Sequence, residues 1–542
     1  MSPEPHTLPD AARAHLLQTL VQPEWDLVII GGGITGAGIL LEAARRGYKA
    51  LLVEQRDFAW GTSSRSSKLV HGGLRYLKEG QLRLTRDSVR ERQTLLQQAR
   101  GLVEPQSFAF ADYKDRKPGR WVFQLGLAVY DWLAGQRARH HYPADEFLLL
   151  APHIVRADLK GGLCYLDAKT DDARLVLRVL QEARGLGGVA INYLQAQHLL
   201  RAGDATHGRV SGVQLQDAVA GASYPVRARV VVNATGAWAN RLRQQQGAPR
   251  RLRPLRGSHL VLPAWRLPVA QAVSLMHPQD GRPVFAFPWE GATLVGTTDV
   301  DHGADLQQEA AITPAELDYL LAALRWQFPQ LALEPGDVIA TYAGVRPVID
   351  TGKADPSKEG RDHAVWMEDG LLTVTGGKLT TFRLIALDAL HQLEPLLPRG
   401  RPVSPGAPVL APGAPLPVSG ELTAQQRQRL QGHYGPLAAA VVGAAQAGEL
   451  DAIPGTETLW VELRWAARTE AVVHLQDLLL RRTRLGLLLR GGGTEHLARI
   501  RTLCQGELGW SDAHWDAEQA AYLALWHSHY RPPQPQREST HA

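Results

Sequence analysis

The sequence predicts an α/β protein in three parts: a parallel-sheet domain of the Rossmann-like kind, a second and mainly antiparallel sheet, and a helical C-terminal domain. Three observations predict it. Residues 25–54 read as strand, glycine turn, helix and strand; several strand-patterned runs recur between 257 and 351; and beyond a proline-rich interval at 401–418 the pattern turns helical. At 542 residues the chain exceeds a single core, as this division requires.

Residues 1–24 carry acids and prolines and read as an extension, with 11–20 weakly helical. Asp26-Leu27-Val28-Ile29-Ile30 is a short apolar run, Gly31-Gly32-Gly33-Ile34-Thr35-Gly36 a glycine turn, and an Ala/Leu-rich helix follows to Arg46. Gly47 closes that helix, Ala50-Leu51-Leu52-Val53 is the next buried strand, and Glu54 ends it. This is G-x-G-x-x-G in its strand–turn–helix setting. Gly31 permits the tight turn, Gly33 lets the backbone approach a pyrophosphate, and Gly36 lets helix and strand pack closely, while the N–H groups of the helix start, at Ile34 and Thr35, face the phosphates. Glu54 stands eighteen positions after Gly36, where a carboxylate accepts hydrogen bonds from a ribose diol. The turn indicates a dinucleotide without saying which.

The next stretch, 61–68, is crowded with hydroxyls at Thr62, Ser63 and Ser64, short donors suited to phosphate oxygens. A charged helix is expected at 81–100, and an apolar, aromatic-rich helix at 121–133, read as core. Residues 173–185 read as a helix, 189–193 and 210–215 as strands, and 229–233 as a buried strand ending in the small-residue turn of Gly236. Strands follow at 259–262, 284–288 and 293–296, with a helical insert after Thr313. Residues 371–376, the turn Gly376-Gly377-Lys378 and a helix at 381–393 repeat the opening arrangement, so a second helix start points at the ligand. The expected division is a sheet domain at 25–400, with its antiparallel part mainly at 80–160 and 255–350, then a linker at 401–418 containing six prolines. A helical domain at 419–532 and a tail at 533–542 complete it.

Composition is that of a globular protein, 44% hydrophobic and 21% charged. Lys and Arg exceed Asp and Glu by 59 to 54, a net +5 too mild over this length to argue for nucleic acid, and no interleaved basic and aromatic stripe does so. Cys164 and Cys504 stand far apart and match neither a disulfide framework nor a metal site, so a reducing cytoplasm is expected. No secretion signal and no spanning segment are read, which leaves peripheral attachment open. The arginines 481, 482, 484 and 490, set among leucines, either meet anionic lipid or lie exposed on a helix packed within the cap.

With these segments in place the chain resembles the FAD-dependent, quinone-linked glycerol-3-phosphate dehydrogenases over nearly its whole length. The residues that carry the resemblance are 30–38, Ser66-Ser67-Lys68-Leu69-Val70-His71-Gly72-Gly73-Leu74-Arg75-Tyr76, 233–238, Arg256-Gly257-Ser258-His259, Gly296-Thr297-Thr298-Asp299, Tyr342-Ala343-Gly344-Val345-Arg346-Pro347 and Gly376-Gly377-Lys378-Leu379-Thr380-Thr381, in the family's order. Residues 477–486 and 509–511 are similar to that family's helical cap. The resemblance implies FAD rather than NAD, in a domain of the glutathione-reductase/D-amino-acid-oxidase type. It adds Lys68, Leu69, His71, Gly73, Gly236, Trp238, Gly344, Gly377, Lys378, Leu379 and Thr380 to the cofactor residues. It places Arg75, Arg346, Arg361 and Lys378 on a phosphorylated substrate, adds a hydroxyl donor at Tyr76, and makes His259 the leading general base, with Tyr76 or a water as alternatives. The chemistry fits: several cations suit a dianion better than the lone Arg that a carboxylate recruits, which disfavours an amine or amino-acid oxidase. The implied reaction is oxidation of glycerol 3-phosphate to dihydroxyacetone phosphate, with electrons passed to a quinone by a homodimer on the inner face of the cell membrane. An oxidase that reduces oxygen and a flavin-containing RNA-binding protein are the competing readings.

Overall fold

The computed structural model describes residues 10–22, 24–74, 77, 80–114, 120–135, 138–202, 208–352, 362–404, 406–416 and 421–534. Two sheets and a helical C-terminal part make up the chain. In the first sheet Trp25–Ile30 lies between Ala50–Val53 and Ser223–Asn233, parallel to both. Val189–Ile191 extends one side in parallel, and Leu371–Gly376 the other, with His363–Glu368 antiparallel at the edge. Trp25–Ile30, Ala50–Val53 and the last four residues of Ser223–Asn233 are buried almost throughout, which is why the sequence shows continuous apolar runs there rather than alternation. The helix Ile34–Arg45 covers one face, packed between Asp172–Gly185 and Phe382–Leu393.

The second sheet has nine strands among the described residues, antiparallel except where Ala272–Met276 runs parallel to Val103–Tyr113. Its central strand for function is Leu252–Pro263, paired with Ala292–Gly296 on one side and Ala340–Ile349 on the other. The helix Pro314–Gln327 starts on a capping box from Thr313 to Glu316 and buries Leu317, Leu320, Leu321 and Leu324 beneath this sheet.

The C-terminal helices Trp460–Thr469, Leu497–Leu508 and Asp512–His529 share a core with the second sheet, in which Trp289 and Tyr342 meet Leu463, Leu478 and Trp515, while Ala424–Tyr434 packs Leu430 and Tyr434 into a separate cluster with Val461 and Trp465. The proline-rich interval is irregular but fastened: Val409 and Leu410 are buried, and Arg45 donates to the carbonyls of Pro408 and Val409 at 2.6 Å each.

Two expectations are corrected. The aromatic helix, Arg120–Ala134, is not core throughout. Leu127 and Tyr130 point inward, while Trp121, Val122, Leu125 and Trp132 are 69–78% exposed. A helix apolar on all sides carries no period that separates a packed face from an outward one. The arginines of 481–484 are neither lipid-facing nor exposed. Arg481, Arg482 and Arg484 are each 1–2% exposed. Arg481 and Arg482 both grip Asp57, at 2.5 and 2.7 Å, and Arg484 grips Asp171 at 2.7 Å and also Asp172. Asp477, within the cap, takes a further bond from Arg481 at 2.5 Å.

Burial alone raises a carboxyl, yet at Asp57 the guanidiniums of Arg482 and Arg481 outweigh it and hold the group at about 2, against an ordinary 3.8. Its contribution to stability is therefore complete above pH 3.8 and is lost as the pH falls through about 2. Asp57→Ala leaves two buried guanidiniums short of a partner and is expected to lower the unfolding free energy at pH 7 by about 3–5 kcal/mol in urea melts. A loss under about 1 kcal/mol would contradict the pairing described.

Candidate active site

The first strand, the glycine turn and the first helix build one wall of a cleft. Gly31, Gly33, Ile34 and Thr35 line it, with Glu54 at the end of the neighbouring strand. Gly31 has φ +117°, and a Cβ there would stand 2.5 Å from the carbonyl oxygen of Ala234; a Cβ on Gly36 would meet the carbonyl oxygen of Gly31 at 1.9 Å. The helix has no side-chain cap at Gly33. Ser63 accepts the Ile34 N–H at 3.0 Å, so a hydroxyl stands at the helix start. Glu54 accepts from the N–H groups of Gly32 and Arg56 at 2.7 and 3.0 Å, and burial raises its carboxyl against those two bonds.

The opposite wall comes from residues distant in sequence. Thr235, Gly236 and Trp238 follow the strand Ser223–Asn233, and Gly376, Gly377, Lys378 and Leu379 follow Leu371–Gly376. Leu379–Thr381 opens a second helical start, also without a side-chain cap. Thr62 and Ser66 from the hydroxyl loop and Pro347 close the cleft. Two uncapped helix starts, a glycine turn and a terminal carboxylate facing one elongated space fit a dinucleotide with its pyrophosphate against backbone N–H groups.

Of the other expected cofactor residues, several stand behind this lining. Ser64 is buried and its carbonyl accepts from Lys68, whose ammonium is fully buried against Asp172 at 2.9 Å. Leu69 bridges to Lys169, Thr380 donates to the carbonyl of His71 at 3.1 Å, Gly73 holds φ +82°, and Gly344 packs on the carbonyl of Arg65. Arg75, Tyr76 and Arg361 lie outside the described residues.

Ser66 and Pro347, which line the cleft, are chain neighbours of Ser67 and Arg346, and these belong to a buried polar cluster. Here His259, 1% exposed, shares a hydrogen bond of 2.9 Å between its Nε2 and the hydroxyl of Ser67 and stacks on the Tyr342 ring at 4.7 Å. Gly296 faces it across the strand pair, and a Cβ there would stand 2.2 Å from the imidazole Cδ2. Nδ1 is buried with no hydrogen-bond partner among the described residues, a group that a ligand hydroxyl would satisfy. Burial, then Arg346 and Lys68, hold this imidazole well below its ordinary 6.5, so it is neutral at physiological pH. Arg346 donates to Asp299 at 3.0 Å and to Thr297 at 3.2 Å, and Lys378 donates to Ser88 at 2.6 Å. The roles of Ser67, Thr297, Asp299 and Tyr342 escape the sequence reading although all four sit inside recognised motifs; Trp60, which lines the cleft and pairs with Trp238 at 5.5 Å, carries no signal in the sequence at all.

Fold and cleft together define a flavoprotein oxidoreductase. Residues 26–383 match the family of FAD dependent oxidoreductases, and residues 406–515 match the C-terminal domain of alpha-glycerophosphate oxidase. The aerobic glycerol-3-phosphate dehydrogenase of Staphylococcus saprophyticus is 39% identical over 388 residues, 70% of this chain and 69% of that protein. The FAD complex of glycerol-3-phosphate dehydrogenase from Bacillus halodurans superposes with a TM-score of 0.74 at 28% identity, covering 95% of this chain and 97% of that one. L-alpha-glycerophosphate oxidase of Mycoplasma pneumoniae, at 17% identity and TM-score 0.56 over 69% of this chain and 95% of that one, shares the fold. The chain belongs to the FAD-dependent aerobic glycerol-3-phosphate dehydrogenase family.

The turn supplies a direct test of the cleft. Gly31→Ala is expected to purify without flavin absorbance while keeping its circular dichroism, because the new Cβ meets the Ala234 carbonyl. A variant that stays yellow would show that the turn accommodates a side chain.

Proposed function

We propose that this protein oxidises the secondary hydroxyl of sn-glycerol 3-phosphate to give dihydroxyacetone phosphate, and that a quinone takes the electrons from its FAD. The observation that carries this is a dinucleotide cleft whose lining residues Ser66 and Pro347 are chain neighbours of Ser67 and Arg346, two of the groups that surround a neutral, buried His259. FAD, held by Gly31, Gly33, Ile34, Thr35, Glu54, Thr62, Ser63 and the Gly376–Leu379 turn, supplies the hydride acceptor. The chain does the rest. Arg346, its guanidinium oriented by Asp299 and Thr297, and Lys378, steadied by Ser88, hold the phosphate dianion, with Arg75, Tyr76 and Arg361 completing that set. His259 takes the hydroxyl proton, its ring plane fixed by Tyr342 and its Nε2 by Ser67. The cations around it stabilise negative charge as it develops on the alcohol oxygen.

Anaerobic addition of glycerol 3-phosphate is expected to bleach the flavin bands, and a quinone analogue to restore them without peroxide; peroxide as the sole product would favour an oxidase. In the same assay Arg346→Ala should lose on the order of 10²–10³-fold in kcat/KM with glycerol 3-phosphate but little with glycerol. Equal losses with both substrates would remove Arg346 from the phosphate site.

No helix among the described residues is long and apolar enough to cross a membrane. Peripheral attachment is supported instead by the outward stripe of Arg120–Ala134, with Trp121, Val122, Leu125 and Trp132 exposed. The sequence flanks that helix with Lys114, Arg116 and Lys117 on one side and Arg137 and Arg139 on the other, cations suited to an anionic bilayer. Replacing Trp121 and Trp132 by Ser is expected to lower cosedimentation with phosphatidylglycerol vesicles by at least about tenfold, from the apolar area withdrawn. Vesicle binding unchanged, with the mass of the proposed homodimer halved, would assign the stripe to the subunit interface.

A further inference from the structure

We infer that Lys68 is a positioning residue for His259. This rests on the reading of His259 as the proton acceptor. Lys68 is wholly buried and holds φ +55°, a left-handed conformation that a lysine adopts only where its surroundings over-determine it. They do so here: its carbonyl accepts the Thr170 N–H at 2.9 Å, and its own N–H donates to Ser66 Oγ at 3.0 Å. An ammonium taken out of water is costly, and a lysine that served only packing would be replaced by an apolar chain without loss. This one points at the apparatus around the imidazole. Its Nζ donates to Asp172 at 2.9 Å and to the Ser64 carbonyl at 2.9 Å, and stands 4.6 Å from the centre of the Tyr342 ring. That ring carries His259 in a parallel stack and donates its hydroxyl to the Ser66 carbonyl at 2.9 Å. Asp172 in turn accepts from the N–H and the hydroxyl of Ser66, at 3.0 and 2.7 Å. Lys68 and Asp172 thus fix both supports of the imidazole, the Tyr342 ring by a cation–π contact and the loop that presents Ser67 by hydrogen bonds.

The groups that face His259 are Ser67 and Lys68 from this loop, Tyr342 and Arg346 from the strand Ala340–Ile349, and Gly296 across the sheet; Asp299 stands behind Arg346 and Asp172 behind Lys68. Two of these, Arg346 and Lys68, are cations whose charge disfavours the imidazolium, and removal of one leaves the other. Lys68→Met strands no carboxylate, since Asp172 keeps Arg484 and Ser66.

The test is the pH profile of kcat/KM for the flavin-loaded enzyme. Lys68→Met is expected to raise the midpoint of the acid limb by about one pH unit and to lower kcat by about tenfold with KM changed less than about twofold. Lys68→Arg is expected to leave the limb where it is. An unmoved limb in Lys68→Met, or an equal shift in Lys68→Arg, would overturn the inference. Should Lys68→Met not load flavin, Lys68→Gln, which keeps a donor for the Ser64 carbonyl, is measured with the same expectation and the same overturning result. His259→Gln separates the two levels: retention of the acid limb there removes His259 as proton acceptor, whereas its loss there with an unmoved limb in Lys68→Met removes only Lys68.

Discussion

The buried ion lattice between Asp57, Asp171 and Asp172 on one side and Arg481, Arg482 and Arg484 on the other is the interaction on which the rest of the molecule depends. None of these six side chains can reach water, so each is tolerable only while its partner is in place. The three acids stand in the flavin domain and the three arginines in the helical part, so the two halves are joined by charges that neither can leave bare. A C-terminal domain attached by apolar surface alone slides at little cost; one attached by guanidinium and carboxylate has a single seating. Asp172 carries that seating into the site, for the carboxylate that meets Arg484 also holds Ser66, whose side lines the cleft. The cap is therefore part of the catalytic domain's geometry although none of its described residues lines the cleft.

The cleft itself depends on backbone rather than side chains. Two helices begin at it with no cap from their own N-cap residues, the first after Gly33, where Ser63 takes the Ile34 N–H, and the second after Lys378, and the other first-turn N–H groups are suited to a ligand. Opposed helix starts give a positive field along the line where a pyrophosphate lies, with no lysine or arginine needed there. The charged side chains are then free for a different task. Arg346, bonded to Asp299, is the one proposed for the substrate's phosphate.

How much of this the sequence shows follows from the range of each interaction. The glycine turn, the strand before it and the helix after it lie within thirty residues of one another and obey local rules, so Trp25–Ile30 and Ile34–Arg45 stand close to where the apolar runs and Gly47 put them. The run 229–233 reads as a buried strand for the same reason, and it is the end of Ser223–Asn233 that pairs in parallel with Trp25–Ile30. Long-range pairing leaves no such trace. Arg481, Arg482 and Arg484 look like a basic surface because their partners lie more than three hundred residues earlier, and a charge run in isolation is usually solvated. Arg120–Ala134 looks like core because composition is blind to which neighbours arrive. At the site, the motif positions locate His259 and Arg346, while Ser67, Asp299 and Tyr342 acquire roles only once three strands and a loop converge.

That convergence bears on the proposed role of His259 as a proton acceptor between two cations. Burial, Arg346 and Lys68 all disfavour the imidazolium, so His259 in the free protein is ready to accept a proton but weakly basic. With His259 as the acceptor and a phosphate dianion on Arg346, two negative charges enter beside the ring and offset the cations. Under that proposal the field that keeps the imidazole deprotonated would relax as the substrate hydroxyl arrived, and its basicity would rise with occupancy. A site built from neutral donors could orient the same phosphate but would leave the base no stronger when loaded than when empty. The coupling requires that Arg346 act on both groups at once, and its position, bonded to Asp299 while near enough to His259 to depress it, meets that requirement.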